Sequence, residues 1–346
     1  MPGSLTVVTE LATALGTLAA DVGAAAALEA RPKELRHVSD VVWTDMVDSL
    51  ADRAHAAAFD AAFANGVALL RSSDGLRGRR PALVEWKGPH KPPGDDVIPA
   101  DIRIDHVYLV SCKYLSKIML NPGPSRLFDR LLVGEDRSPA DWFAVVAPAE
   151  YEAFYDDVRA HFGLTAALPG RVEQLSAGDR LVLRDALRAR VLPAPLQVSW
   201  EHLCAAVSAV SAQRWQTGLG DAKARLRLLW RLLRIGQASY YVLGADRDSH
   251  VRLRIGSTWD WVQAHELRGF DVAPIKAGQP EVGWYASVRE RSTGRGVVVR
   301  GHVEVRWSHG RFGGSPEAKV YLDTPHAEVP GYYGLSEGAS ASWEVG

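Results

Sequence analysis

Three short apolar runs stand close together between residues 82 and 113, and turn-forming residues separate them. The first, "ALVEWKG" (82–88), is rich in the β-branched and aromatic side chains that suit a strand. A proline- and glycine-containing loop, "PHKPPGDDVIP", follows it. The stretch "PADIRIDHVYLVSCKY" then reads as two further strands, over about 100–105 and 107–113, with a tight reversal between them. Runs joined this way pair as an antiparallel meander that travels up, down and up. The flanks extend the pattern. "SDVVWTDMVDSLADRAHAAAFDAAFANG" predicts a helix over 40–70, capped by Ser39 or Asp40 and stopped toward Asn65-Gly66. "PSRLFDRLL" (124–132) predicts a short helix with Pro124 in its first turn. "DWFAVVAP" (141–148) reads as an apolar strand, and "AEYEAFYDDVRAHFG" (149–163) as an amphipathic helix. The expected order is α-β-β-β-α-β-α, an α/β fold with a mixed sheet and helices on its faces.

Beyond this block the pattern changes twice. Residues 1–39 are alanine-rich, and Glu10, Asp21 and Glu29 interrupt them, so they read as a helical arm rather than a signal peptide. Residues 166–235 are mostly helical in pattern, with "SAGDRLVLRDALRARV", "SWEHLCAAVSAVSAQRWQ" (Ser199 as N-cap) and "DAKARLRLLWRLLR" as its segments. Residues 236–346 are β-rich, with strand-like runs at "ASYYVLGAD", "SHVRLRIGS", "EVGWYASVRE", "GVVVRGHVEVRW" and "EAKVYLD". The expected organisation is therefore an arm (1–39), an α/β domain (40–165), a helical region (166–235) and a β-rich domain (236–346). Hydrophobic residues at 47% and charged residues at 23% are ordinary for a soluble chain of this length. A net charge of -1, from 40 basic and 41 acidic residues, disfavours a strongly basic coat protein but leaves room for a local basic groove. Two cysteines, Cys112 and Cys204, make disulfide scaffolds and cysteine-built zinc sites poor explanations and fit a reducing cytoplasm. No run of about 18 uncharged apolar residues exists to span a membrane.

The meander gathers chemistry at one end of its sheet. Glu85 sits at the end of the first strand, Asp101 at the start of the second, and Ser111 and Lys113 near the end of the third. Ser111 and Lys113 share a face because strand side chains alternate. Two carboxylates and a lysine in reach of one another suit phosphodiester hydrolysis. The carboxylates would hold magnesium or manganese, and the lysine would orient water or stabilise charge on the phosphate.

The element order, with Pro99 and Asp101 opening the second strand and Ser111-Cys112-Lys113 on the third, resembles the PD-(D/E)xK, restriction-endonuclease-like nuclease superfamily over residues 40–165. The resemblance implies a metal-dependent nuclease acting on nucleic acid, with DNA the expected substrate, and a setting such as restriction or anti-phage defence. It implies Asp101 as a metal ligand and Lys113 as the catalytic lysine. Two departures stand out: an alanine separates Pro99 from Asp101, and Ser111 replaces the usual acid. Serine is a poor magnesium ligand, so Glu85, or Asp45 or Asp48 from the preceding helix, would have to supply the second carboxylate. Otherwise the chain is a non-catalytic nucleic-acid-binding or assembly subunit that keeps the nuclease fold. Self-association or a protein partner is left open.

Other patterns are weaker. "VEWK" and "PEAK" (316–319) are literal E-x-K triplets, and Glu304, Glu317, Lys319 and Asp323 imitate the constellation near the C-terminus. "RWSHGRF" (306–312) combines Arg306, His309 and Arg311 with Trp307 and Phe312, a mix of phosphate donors and stacking surfaces. With Lys117, these are the expected nucleic-acid contacts. No HExxH, GxSxG or GxxxxGK[ST] occurs, which disfavours a zinc protease, a serine hydrolase of that type and a P-loop motor.

Overall fold

A computed structural model of the chain describes residues 4–336 apart from 52, 54, 89–97, 115–117, 135–140, 247–248 and 277. In chain order the elements begin with α1 (Ser4–Leu18), α2 (Ala24–Ala30), β1 (Leu35–Arg36), α3 (Asp40–Ala51) and α4 (Ala56–Arg71). Next come β2 (Val84–Trp86), β3 (Ile102–Ile104), β4 (Tyr108–Tyr114), β5 (Ile118–Leu120), α5 (Pro124–Phe128), α6 (Trp142–Val146) and α7 (Pro148–His161). Then follow α8 (Ala177–Ala186), α9 (Ala194–Gly218), α10 (Ala222–Leu232), β6 (Tyr240–Asp246), β7 (Ser249–Ile255) and α11 (Thr258–Ala264). The last are β8 (His265–Lys276), β9 (Pro280–Glu290), β10 (Gly296–Arg306), β11 (Glu317–Leu322) and β12 (Tyr332–Gly334). The fold is mixed α/β. Its chain forms two compact units, each drawn from separated stretches: Met1–Ser116 with Arg234–Gln263 and His326–Gly346, and Lys117–Leu233 with Ala264–Pro325. Among the described residues no helix is long and apolar enough to cross a membrane.

The first unit is built on a mixed sheet of order β1-β2-β3-β4-β6-β7-β12. β2, β3 and β4 form the expected antiparallel meander. The next strand is β6, parallel to β4 with Ser111 across from Val242, and β7 pairs antiparallel to β6. Residues 141–148 are not that strand. Trp142, Phe143 and Val146 are buried on the helix α6, which lies in the second unit. A short, wholly apolar run has no period of its own, so its surroundings choose between helix and strand. The parallel strand arrives only at 240, and β6 and β7 join this sheet while β8 to β11 form the other.

Helices α1 and α4 cover one face of the sheet. Val8, Leu11, Leu15, Phe59 and Leu69 pack there with Val84, Trp86, Ile102, Ile104, Val110 and Leu243. The expected arm at 1–39 thus contains a helix at the centre of this core. The expected stop at Asn65-Gly66 falls inside α4. Gly66 crosses Gly16 of α1 so closely that a Cβ on it would overlap the Thr13 carbonyl oxygen and stand 2.9 Å from the Gly16 Cα. Asn65 donates to the Gly244 carbonyl at 2.8 Å and accepts from Arg252 Nε at 2.9 Å, so its buried amide is paired rather than exposed in a turn.

The second unit carries an antiparallel sheet of order β5-β11-β10-β9-β8. Val282, Trp284, Ala286 and Val288 of β9 and Val299, Val303 and Val305 of β10 are buried on one face, and α9 packs on β8 and β9. Tyr285, Arg289 and Arg300 on the opposite face are exposed. α9 starts after Pro193, five residues before the expected serine cap, and Ser199 is buried within the helix. Proline at a helix start gives up an N–H that would be unpaired anyway.

Candidate functional site

Alternation along the strands decides what the candidate residues share. Val84, Trp86, Ile102, Ile104 and Val110 face α1 and α4. Glu85, Asp101, Arg103, Ser111 and Lys113 therefore project from the other face of the sheet. Asp101 is held at the mouth of the β3–β4 ladder. Its backbone N–H donates to the Val110 carbonyl at 2.8 Å, and its Oδ2 accepts from the Cys112 N–H at 2.7 Å and the Ser111 hydroxyl at 3.3 Å. Ser111 is fully buried. Lys113 is half-buried and makes no side-chain hydrogen bond or ion pair among the described residues. Cys112, between them, points to the helical side, where burial drives its thiol pKa well up and leaves it a poor nucleophile.

Glu85 has a different occupation. Register puts it directly across from Arg103. Arg103 Nε donates to Oε2 at 2.7 Å and Nη2 to Oε1 at 2.8 Å, a bidentate fork. His106 Nδ1 lies 3.1 Å from Oε2 and His37 Nε2 lies 3.6 Å from Oε1. The Arg103 hydrogen bonds first, and then its charge and His106, hold the carboxyl below the usual glutamate range against the opposing effect of burial. His106 lies in the turn that ends β3, whereas Asp101 lies before its start. The two carboxylates are drawn toward opposite ends of one strand. The residue across from Asp101 is Lys87, whose N–H donates to the Asp101 carbonyl at 2.9 Å.

A two-carboxylate magnesium site does not fit this arrangement. Both oxygens of Glu85 face cationic or imidazole nitrogens, and a metal would have to displace the Arg103 fork. Another nearby acid, Glu10, is buried on the helical side and accepts from Trp86 Nε1 at 2.6 Å. Asp45 and Asp48 are both exposed on α3. Among the described residues no three His, Cys, Asp or Glu side chains are grouped to hold a metal ion. Asp101 is left as a single carboxylate beside Ser111.

The C-terminal candidates separate as well. Glu317 and Lys319 are neighbours on one face of β11, 3.9 Å apart, and Glu317 is also bound by Asn121 and Ser308. Glu304 accepts from the Tyr321 hydroxyl and pairs with Arg306, and Asp323 pairs with His302. Each acid therefore has its own local partner rather than a shared ligand. His309 is exposed in the turn after β10. Arg311 is not an outward phosphate contact. It donates to the carbonyls of Leu187, Ala189 and Arg190 and lies 5.9 Å over the Trp200 ring. Lys117 lies outside the described residues. Sequence reading passed over Arg103 and His106, whose relation to Glu85 needs the strand register. It also passed over Arg188 and Arg190, which were assigned to a helix that in fact ends at Ala186.

Compared with known protein families, with curated proteins and with solved structures, the chain matches none.

Proposed function

We propose that this chain is a nucleic-acid-binding protein of restriction-endonuclease-like build, which contacts the phosphodiester backbone through the Asp101–Ser111–Lys113 face without a two-carboxylate magnesium centre. The observation that carries it is Lys113, a cation with no side-chain partner among the described residues, on the sheet face that also carries Asp101 and Ser111 and on the strand where that fold would place its lysine. The strand order supports the same reading, because the meander β2-β3-β4 is followed by a parallel strand, β6. The closed Glu85–Arg103 fork favours binding over cutting. Fluorescence anisotropy with labelled DNA and RNA, in chelator, tests it. Affinity should fall linearly on a log–log plot against salt, and Lys113→Ala should reduce the slope by about one counterion. Absence of salt-dependent binding, or a Lys113→Ala slope equal to the parent's, contradicts it.

A second reading keeps the hydrolase. One observation favours it: Asp101 stands on the same sheet face as Lys113, and magnesium can be carried by a single carboxylate with water and substrate phosphate. Metal-dependent cleavage of DNA that disappears in both Asp101→Ala and Lys113→Ala would select this reading.

A further inference from the structure

The second unit contains a cleft of 480 Å³ between the segment after α8, the start of α9 and the turn after β10. That volume is in the range of about 300–1,000 Å³ usual for small-molecule sites. Arg184, Arg188, Arg190, Arg306 and Arg311 line it, with Asp185 the one carboxylate among the lining residues. Trp200 and Trp307 supply its apolar wall, their rings 6.1 Å apart and stacked within 25°.

The arginines divide into two groups. Arg184 is bound to Asp185 at 3.0 Å and Arg306 to Glu304 at 3.1 Å. Arg311 works behind the wall. Its guanidinium donates to the Leu187 carbonyl at 3.2 Å, to Ala189 at 2.9 Å and to Arg190 at 3.2 Å, and so fixes the non-helical turn between α8 and α9. Arg188 and Arg190 stand on that turn, two residues apart. Both are exposed, and neither makes a side-chain hydrogen bond or ion pair among the described residues. The braced loop thus presents to the cleft two guanidiniums without side-chain partners among the described residues, and an anion there would meet both. Guanidinium forks match phosphate oxygens, and indoles match the faces of bases.

We propose that this cleft is a nucleotide site, in which Arg188 and Arg190 hold the phosphate and the Trp200–Trp307 wall receives the base. The ligand is a nucleotide, either free or at the end of a single strand. The inference stands on the second unit alone and does not depend on the reading of Lys113.

Calorimetric titration of the full chain with adenosine 5′-monophosphate, adenosine, inorganic phosphate and a short single-stranded oligonucleotide tests it. The phosphate-bearing nucleoside should bind at least about tenfold more tightly than adenosine or phosphate alone, since a charge-assisted hydrogen bond contributes about that factor. Arg188→Ala with Arg190→Ala should remove that advantage and leave adenosine binding unchanged. Tighter binding of the oligonucleotide that the Arg188→Ala, Arg190→Ala variant loses assigns the strand end, and equal affinity of oligonucleotide and mononucleotide assigns the free nucleotide. Parental affinity in the double variant overturns the proposal, as does saturable binding by none of the probes. Both positions are exposed, so the variant should retain its fold, which far-UV circular dichroism checks directly.

Discussion

Glu85 shows how one cross-strand neighbour redefines a residue. On the sequence it is a spare acid at a strand end. In the fold it is 9% exposed and receives both nitrogens of a guanidinium fork. Removing the guanidinium would strand a nearly buried carboxylate. Arg103→Ala should therefore cost about 1–3 kcal/mol in urea unfolding at neutral pH, while Glu85→Gln with Arg103→Ala should cost less than the sum of the single changes. The same pair sets a pH dependence. The Glu85 carboxyl is held below its ordinary value, so the unfolded chain takes up a proton first as pH falls. Its stabilising contribution is complete above the unfolded glutamate value, about 4.3, and is lost as pH drops through the folded one. Glu85→Gln should flatten that part of the stability curve relative to the parent. An unchanged acid limb would mean that the fork contributes nothing in solution.

At the scale of elements, the contact between α1 and α4 is the most exacting part of the first unit. Gly16 and Gly66 let the two helices touch, and no rotamer exists to relieve a Cβ placed at Gly66. Gly66→Ala, a change that helps an ordinary helix, should here destabilise by about 1–3 kcal/mol or more in thermal or urea unfolding. A neutral or stabilising result would show that the helices are not packed this closely. In the second unit, Arg311→Ala should leave three carbonyls of residues 187–190 without their donor. Hydrogen exchange should then rise over 187–192 and stay unchanged over 240–255. Elements with a period or strong punctuation were legible. The meander at 84–114 had alternation and turns, α5 had Pro124, and β9 to β11 alternated cleanly. Residues 141–148 had neither, and their apolar run became α6 when Trp142, Phe143 and Val146 found a buried setting. Asn65-Gly66 carried the right residues for a helix end, but the close approach of Gly16 and the bonds of Asn65 kept the helix going. The shared face of Ser111 and Lys113 followed from alternation, whereas the expected gathering of Glu85 and Asp101 at one end of the sheet did not hold. Nor did the partners follow, because Arg103 meets Glu85 only through the β2–β3 register.

At the scale of the whole chain, the sequence does not divide where its patterns change. Each unit closes its sheet with strands from distant stretches: β6, β7 and β12 complete the first, and β5 joins β11 in the second. In the function proposed above, Lys113 meets phosphate while the Arg103 fork occupies the Glu85 carboxylate. The most direct test is to incubate the full chain with plasmid DNA and magnesium beside the Glu85→Gln and Lys113→Ala variants, following both retention and cleavage. The account predicts salt-sensitive retention by the parent and by Glu85→Gln, weaker retention by Lys113→Ala, and no nicking by any of them. Magnesium-dependent cleavage by the parent that is lost in Glu85→Gln would contradict it.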